Sequence, residues 1–327
     1  MTFLHDRFPG ADLPHVPLGA RPTPVRRLES WGSNVWLKDE SAFGDGHWGG
    51  NKVRKLEWII PEAHRRGRRT LFTVGGIGTH WGLAAALYGR EHGLRTVLGL
   101  VDQPVDDHVR DQLARLGASG ALVHRYPSVG RLKLAAPGLL LRYREGLRLP
   151  YYLPAGGSSP VGTLGYVDAG LEIADQVRSG MLPEPAVVVT PVGSAGTAAG
   201  LMVGLQLAGL ATRVVGIVVN DSFRLDAEVV TRLANATVDL LRRRNAEIDV
   251  VLHESDLDAT DDYLGSTYGA STPEGLAALE AARADGLELE PVYTAKAFAA
   301  VRDIAPRTAG PVLVLNTHGP RGPQAFS

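Results

Sequence analysis

The chain has 327 residues, 44% of them hydrophobic and 21% charged, with a formal net charge of −1 at pH 7. This length corresponds to about two domains, the apolar content excludes a disordered chain, and the near-neutral charge gives no electrostatic case for nucleic acid or an anionic membrane. The chain has no cysteine, which excludes disulfide bonds, cysteine metal ligands and a cysteine nucleophile.

The predicted elements alternate between strands and helices along the chain. Short apolar, β-branched runs predict buried strands at 71–74, 96–101, 121–124, 186–192, 213–219, 249–253 and 311–315. Helical patterns lie between them at 52–66, 81–92, 106–116, 163–179, 197–208, 222–244, 272–284 and 295–305. This alternation predicts parallel α/β sheets covered by helices, which bind their ligands beyond the carboxyl ends of the strands. The stretch at 154–160, rich in Pro, Gly and Ser, is predicted to join two lobes.

We expect a cytoplasmic protein without a membrane span. The first 20 residues contain several charged side chains and no apolar core of the length that a signal peptide needs. No apolar run approaches the roughly 18 residues of a spanning helix. The absence of cysteine fits a reducing compartment.

A glycine pair, Gly49 and Gly50, precedes Lys52 at the predicted start of a helix. A cation in the first turn opposes the helix dipole, which favours the neutral amine. A neutral lysine is a nucleophile that can form a Schiff base with an aldehyde. The alternative is an exposed basic helix in which Lys52, Arg54 and Lys55 are solvated.

A second glycine-rich segment, 190–198, follows the strongest predicted strand and opens a helix without charged residues. Gly193 and Gly196 let backbone N–H groups converge, and Ser194 and Thr197 add hydroxyl donors. This pattern predicts a phosphate cradle at a helix N-terminus. No lysine follows, so the segment differs from the nucleotide P-loop, and an ordinary strand-to-helix turn is the alternative.

A third segment, 74–82, also joins a strand to a helix and is suited to bind an anion such as a carboxylate. Its glycines, Gly76, Gly78 and Gly82, can also be interpreted as a dinucleotide fingerprint. That interpretation is weak because the spacing is one residue too long and Asp102 comes later than the expected acid.

The C-terminal part of the chain carries two tyrosines and a histidine near predicted loops. Tyr268 and Tyr293 can donate protons or bind a carboxylate, although each can also be a packed aromatic residue. His318 follows the last predicted strand and is a general acid, a core histidine or a surface residue. The histidines show no metal-ligand spacing, and we expect no metal site.

Taken in order, these segments resemble one enzyme family. Gly-Gly-Asn-Lys-x-Arg-Lys-Leu at 49–56 is similar to the cofactor-lysine motif of the D-cysteine desulfhydrase and 1-aminocyclopropane-1-carboxylate (ACC) deaminase group, within the fold-type II pyridoxal phosphate (PLP) enzymes. The resemblance continues over most of the chain, at 21–24, 37–40, 154–166, 192–197, 268–275 and 291–296.

The resemblance implies an α/β fold of two three-layer α/β/α lobes with mostly parallel sheets and the active site between them. The large cofactor-binding lobe would consist of residues 1–52 and 161–327, and the small lobe of residues 53–160. A homodimer that acts on a small amino-acid-like substrate would be usual.

Carried over position by position, the resemblance implies that Lys52 holds PLP in Schiff-base linkage. The other cofactor-binding residues would be Asn51, Thr79, Gly193, Ser194, Ala195, Gly196, Thr197 and Thr317, with Thr294 as the less favoured alternative to Thr317 at the pyridine nitrogen. The catalytic residues would be Lys52, Tyr268, Tyr293 and His318. The substrate-binding residues would be Gly78, Thr79, His80, Trp81, Tyr268, Tyr293 and Arg321.

Three departures from the family pattern concern the substrate. Gly78-Thr79-His80 stands where the family has Ser-Asn-His, so the serine hydroxyl that contacts the substrate carboxylate is missing. Thr294 stands where the deaminase has a glutamate at the pyridine nitrogen. Asn316-Thr317-His318-Gly319 replaces His-Thr-Gly-Gly. These changes argue against ACC deamination, and Trp81 and Arg321 indicate a pocket for a different, larger or more acidic substrate.

A threonine at the pyridine nitrogen cannot keep that nitrogen protonated as a carboxylate would. The weaker electron sink favours β-elimination over transamination and racemisation. We therefore expect a lyase in which Lys52 removes the Cα proton and a β substituent leaves, with β-replacement as the other outcome. The alternatives are a PLP-fold protein that has become a binding or regulatory protein, and a nicotinamide-dependent enzyme.

Overall fold

The structure is a computed structural model that describes residues 2–45 and 48–319. Its strands are β1 Val25–Arg27, β2 Val35–Asp39, β3 Gly49–Gly50, β4 Thr70–Gly76, β5 Arg95–Val101, β6 Leu122–Tyr126, β7 Tyr151–Leu153, β8 Val187–Val192, β9 Arg213–Val218, β10 Leu257–Thr260, β11 Val312–Asn316 and β12 His318–Gly319. Its helices are α1 Phe3–Arg7, α2 Asn51–Arg65, α3 His80–Glu91, α4 Asp107–Ala118, α5 Val129–Arg142, α6 Pro160–Arg178, α7 Gly196–Leu207, α8 Ala227–Arg243, α9 Pro273–Ala284 and α10 Thr294–Ile304. None of these helices is long and apolar enough to cross a membrane.

The larger sheet has six strands in the order β1-β2-β11-β8-β9-β10, and every pair except β1–β2 is parallel. Strand β11, from the end of the chain, lies between β2 and β8. Its side chains alternate between two cores. Leu313 and Leu315 pack on the side of α6, α7 and α8, whereas Val312 and Val314 pack on the side of α9 and α10. This burial on both faces explains the continuous apolar runs in the sequence.

The smaller sheet has four parallel strands in the order β6-β5-β4-β7, all within residues 53–160. Helix α3 packs against β4 and β5, and α5 packs against the opposite face, where Phe72 and Val97 meet Leu139. The predicted α/β fold with mostly parallel sheets is confirmed. The boundaries of the two lobes stay a prediction.

A two-stranded antiparallel pair, β3 with β12, brings the end of the chain next to the start of α2. His318 is the register partner of Gly50, which has a φ of +86°. A Cβ at Gly50 would lie 2.5 Å from the carbonyl oxygen of Thr317. Only glycine fits this approach, and the approach sets Thr317 and His318 beside Lys52.

A buried ionic network fixes the position of α2. The Arg54 guanidinium donates to Glu40 (2.6 Å from Nε to Oε2) and to Glu172 (3.0 Å from Nη2 to Oε1). Lys38 Nζ donates to the same Glu172 oxygen at 2.6 Å. All four side chains are inaccessible to solvent. The network joins α2 to β2 and α6, and thereby orients the first turn of α2, which carries Lys52.

Some predicted elements were wrong. Residues 249–253 form no strand, because side chains of α8 take the backbone hydrogen bonds of this segment: Asn235 bonds both the N–H and the carbonyl of Leu252, and Arg242 donates to the carbonyl of Val250. Helix α8 begins at Ala227 rather than at residue 222, because Asp226 caps it by accepting from the N–H of Val229.

Candidate active site

A cleft of about 430 Å³ lies between the two sheets, beyond the carboxyl ends of strands from both. This is the position that parallel α/β sheets favour for ligands. The predicted site residues on its wall are Asn51, Lys52, Thr79, His80, Trp81, Gly193, Ser194, Ala195, Thr197, Tyr268, Tyr293, Thr317 and His318. Gly78, Gly196 and Thr294 lie behind the wall, and Arg321 lies outside the described residues.

Lys52 lies in the first turn of α2 and points into the cleft. Its Nζ donates to Asn51 Oδ1 at 2.7 Å and lies 5.8 Å from the centre of the Tyr293 ring. Burial lowers the pKa of Lys52 to about 8, while the Glu290 carboxylate acts in the opposite direction. The amine is therefore available in its neutral, nucleophilic form near neutral pH.

The loop between β8 and α7 forms a cradle of donors. Ala195 has a φ of +67° and a ψ of −37°, and the N–H of Gly196 donates back to the Ser194 carbonyl at 2.9 Å, which makes a tight turn at the start of α7. Ser158 Oγ accepts from the Gly196 N–H at 3.0 Å and lies 3.0 Å from Ser194 Oγ. Asn51 joins this cradle to the lysine, because its Nδ2 donates to Thr197 Oγ1 at 3.2 Å.

Lys55 lies on the same face of α2 as Lys52, one turn later, and is 1% exposed. Its Nζ donates to the carbonyl of Gly156 at 2.9 Å and lies 3.4 Å from Ser158 Oγ. Burial, and secondarily Lys52, holds the pKa of Lys55 well below its usual range. No carboxylate of the described residues pairs with it. A buried amine without a carboxylate partner, beside a cradle of N–H and hydroxyl donors, fits a phosphate group, whose negative charge favours the charged form of the amine.

The two predicted tyrosines meet in the cleft. The hydroxyls of Tyr268 and Tyr293 lie 2.5 Å apart. Burial raises the pKa of both, so the pair is protonated at neutral pH. The Tyr293 ring packs so closely on Gly193 that a Cβ there would lie 2.5 Å from the ring. The tyrosine pair and the cradle therefore form one wall.

Glu290 determines the local backbone at the start of α10. Its carboxylate accepts from the N–H groups of Val292, Tyr293 and Thr294, at 2.9, 2.8 and 2.7 Å. The Thr294 hydroxyl accepts from the Glu290 N–H at 2.9 Å, and Thr294 is fully buried. Thr294 therefore faces this turn, and of the two threonines predicted at the pyridine nitrogen only Thr317 lies on the cleft wall.

The aromatic rings of Trp48, His80 and His318 also line the cleft, and that of His80 lies 6.4 Å from the ring of Tyr293. The ring of His80 lies 5.2 Å from that of His318 and 5.6 Å from that of Trp48. His318 is 7% exposed and belongs to β12, so its backbone is fixed by the pairing with β3. Its imidazole thus lies on the same cleft wall as Lys52, where a general acid is useful.

The loop between β4 and α3 carries the residues that differ from the family pattern. Thr79 Oγ1 caps α3 by accepting from the N–H of Gly82 at 3.0 Å. The indole N–H of Trp81 donates to Thr73 Oγ1 at 2.8 Å, and the ring packs under Gly157. Trp81 therefore supports the loop at 155–157 with its polar atom already bound.

Polar residues on the cleft wall that were not predicted as site residues include Lys55, Gln103, Asn220 and Glu290. Lys55 had a signal, because its spacing from Lys52 places both on one face of a helix. Asn220 donates to the Gly193 carbonyl at 3.1 Å and reaches the cradle from the neighbouring strand. No group of three or more His, Asp or Glu side chains is arranged to hold a metal ion within the described residues.

The family profile described as "Pyridoxal-phosphate dependent enzyme" matches residues 16–317. The chain belongs to this family. The cleft agrees with that assignment, because it combines a buried amine for an aldehyde with a phosphate cradle. PLP is therefore the cofactor, as the sequence predicted.

Relatives that match along most of their length include a D-cysteine desulfhydrase of Serratia proteamaculans, 33% identical over 324 residues, which cover 94% of this chain and 94% of the relative. A putative ACC deaminase of Pyrococcus furiosus is 32% identical over 319 residues, with 94% and 93% covered. The crystal structure of an ACC deaminase homologue superposes with a TM-score of 0.78 at 29% identity, covering 94% of this chain and 92% of that one. The predicted fold-type II class is confirmed.

Proposed function

We propose that this PLP-dependent enzyme catalyses β-elimination on a small amino acid and releases a keto acid and ammonia, or replaces the β substituent with a nucleophile. The observation that carries the proposal is the position of Lys52 in one cleft with a phosphate cradle on one side and the tyrosine pair on the other. The relatives named for D-cysteine desulfhydration support this type of reaction.

Each group of residues has one task in this proposal. Bound PLP supplies an aldehyde for the substrate amine and a ring that accepts electrons as the Cα proton leaves. The cradle at 193–197, with Lys55 and Ser158, binds the phosphate and positions the ring. Lys52 Nζ takes the Cα proton, for which a pKa of about 8 suits the working pH. The tyrosine pair or His318 protonates the departing β substituent.

We assign Thr317 to the cofactor nitrogen, and this assignment favours elimination over transamination. Of the two candidates, Thr317 lies on the cleft wall, whereas Thr294 does not. The Glu290 carboxylate is near, but three backbone N–H groups already bind its oxygens. A neutral hydroxyl does not hold a proton on the ring nitrogen, so reactions that need a strong electron sink are disfavoured. The absence of a hydroxyl at Gly78 disfavours ACC as the substrate.

The visible absorption spectrum before and after borohydride treatment tests the cofactor site. A yellow protein that is bleached, with the cofactor then fixed covalently at Lys52, is the expected result. Lys52→Ala should abolish the covalent attachment, whereas Lys133→Ala, a matched change at an exposed lysine that also lines the cleft, should retain it. A protein that takes up no PLP would support the binding or regulatory alternative.

Steady-state assays then test the reaction on D- and L-cysteine, D- and L-serine, O-acetylserine and ACC. We expect a keto acid and ammonia from a β-substituted amino acid, and little turnover of ACC. Undiminished turnover by Lys52→Ala would overturn the proposal. Formation of a substituted amino acid when a thiol is added would identify β-replacement.

A further inference from the structure

The loop of Gly76 and Gly78 is covered by one side chain from the neighbouring strand. Gln103 follows the carboxyl end of β5, which is paired with β4 in parallel. Its Oε1 accepts from the Gly78 N–H at 3.3 Å. We propose that Gln103 is a specificity-determining residue whose amide N–H groups bind the carboxylate of the substrate. This inference rests on the proposed amino-acid substrate.

The glycines of the loop and the glutamine are complementary in shape. A Cβ at Gly76 would lie 2.1 Å from Gln103 Oε1, and a Cβ at Gly78 would lie 3.2 Å from Gln103 Nε2. The Gln103 amide thus occupies the space that a side chain on this loop would take. A side chain at 76 or 78 would therefore require the Gln103 amide to shift, which couples the loop to this residue.

The hydrogen bond to Gly78 uses only the oxygen of the Gln103 amide. Because Oε1 is bound to the Gly78 N–H, the Nε2 group is the part that remains to bind a ligand. A Cβ at Gly269 would lie 3.9 Å from Nε2, so the amide is next to the segment that carries Tyr268. Gln103 therefore lies between the small sheet and the catalytic tyrosine pair, on the cleft wall.

A carboxylate is the ligand group that this arrangement suits. It has acceptors only, and the start of α3 at Thr79 adds the positive end of a helix dipole beside the amide. Asp102, the acid next to Gln103 in the chain, is paired with Arg125. The neutral amide thus adds a donor at this end of the cleft without adding a charge.

The experiment uses the holoenzyme and alanine, which has a carboxylate and an amine but no β leaving group. Dissociation constants for D-alanine, L-alanine and alaninamide are measured by calorimetry for the parent, Gln103→Ala and Gln103→Glu. We expect Gln103→Ala to raise the dissociation constant of the better-bound alanine enantiomer about 10-fold and to leave the dissociation constant of alaninamide unchanged. Gln103→Glu should weaken alanine further, because its carboxylate repels that of the ligand.

Two further variants separate substrate binding from a structural role. Gln206→Ala removes an exposed glutamine of α7 and should change none of the three dissociation constants. Gly78→Ser would crowd the Gln103 amide and should weaken alanine binding. Adding Gln103→Ala to this variant should weaken binding little further, because both changes disturb the same amide. Equal weakening of alanine and alaninamide, or no weakening of either by Gln103→Ala, would overturn the inference.

The failure of this inference is distinguishable from failure of the proposed function. If the parent binds PLP and eliminates a β substituent while Gln103→Ala retains its KM, only the inference is wrong. If the parent shows no elimination, the proposed function is wrong, and the calorimetry still decides whether Gln103 recognises a carboxylate.

Discussion

The hydroxyls of Tyr268 and Tyr293, 25 residues apart in the chain, meet at 2.5 Å on the wall of the cleft. One hydroxyl must donate to the other, so the pair has a single free proton to give to a ligand. Burial raises the pKa of both phenols, which keeps that proton in place at neutral pH. The pair is therefore suited to act as one proton donor.

We expect Tyr268→Phe and Tyr293→Phe each to lower kcat for elimination by about 100-fold or more, the usual loss for a general acid. Because the two hydroxyls act as a unit, the double variant should be little worse than either single variant. Steady-state kinetics on the best β-substituted substrate is the measurement. Tyr263→Phe, which removes a hydroxyl bonded to Asp303 far from the cleft, is the control. Full activity in either cleft variant would refute the assignment.

The rate at which the cofactor-free enzyme takes up PLP should rise with pH with a midpoint near the Lys52 pKa of about 8. The neutral amine attacks the aldehyde, and burial makes that form available below the usual lysine range. Glu290→Gln should move the midpoint to lower pH, since the Glu290 carboxylate stabilises the charged amine. Stopped-flow absorbance measures the rates, with Glu274→Gln at an exposed position as the control. A midpoint above 10 would contradict a buried lysine.

Lys55→Met should have effects of opposite sign on stability and on ligand binding. Burial lowers the pKa of Lys55 in the folded state. Lys55 therefore reduces the unfolding free energy of the cofactor-free protein at pH values below that pKa. The reduction becomes smaller as the pH rises toward the unfolded-state pKa of about 10.5. The variant should therefore be more stable than the parent at pH 7, with a smaller difference at pH 10. It should also bind inorganic phosphate and PLP at least about 10-fold more weakly, because a charge-assisted hydrogen bond is lost.

Urea unfolding at the two pH values and phosphate titration together test this prediction. Lys133→Met, at an exposed lysine, should leave the stability almost unchanged. A Lys55 variant that is destabilised at pH 7, or that binds phosphate as well as the parent, would show that Lys55 has a purely structural role.

The sequence predicted the structure and the site residues correctly where one short segment contains both the secondary-structure pattern and the functional side chains. The segments around Lys52 and 190–198 each join a strand to a helix in one stretch of chain, so their periodicity and glycines were visible together. The buried strands β8, β9 and β11 were predicted for the same reason, because burial on both faces makes them apolar throughout. Helix α5 was missed; only Leu132 and Leu139 of its residues are buried, which leaves a weak periodic pattern.

The parts that could not be predicted depend on contacts between distant segments. Gln103 reaches Gly78 only because β4 and β5 pair in parallel register. Nothing in the sequence distinguishes Glu290 from other acidic residues, because its role depends on hydrogen bonds from three backbone N–H groups. Thr294 and Thr317 both follow plausible motifs, and only the turn at Glu290 shows which of them is on the cleft wall.

The last prediction concerns Glu172, which lies outside the cleft but sets the position of α2. Glu172 accepts from both Lys38 and Arg54, and these cations, against the effect of burial, lower its pKa to about 2. A carboxylate with a depressed pKa contributes stability above its unfolded value of about 4.5, and that contribution is lost as the pH falls toward 2. Glu172→Gln should therefore cost about 3–5 kcal/mol of unfolding free energy at pH 7, and clearly less at pH 3. Urea unfolding at both pH values measures it, with the exposed Glu247→Gln as the control. Because Arg54 is two residues from Lys52, weaker anchoring of α2 should also make the Glu172→Gln variant lose PLP faster than the parent. If the variant keeps both the stability and the cofactor retention of the parent, the network does not position the lysine.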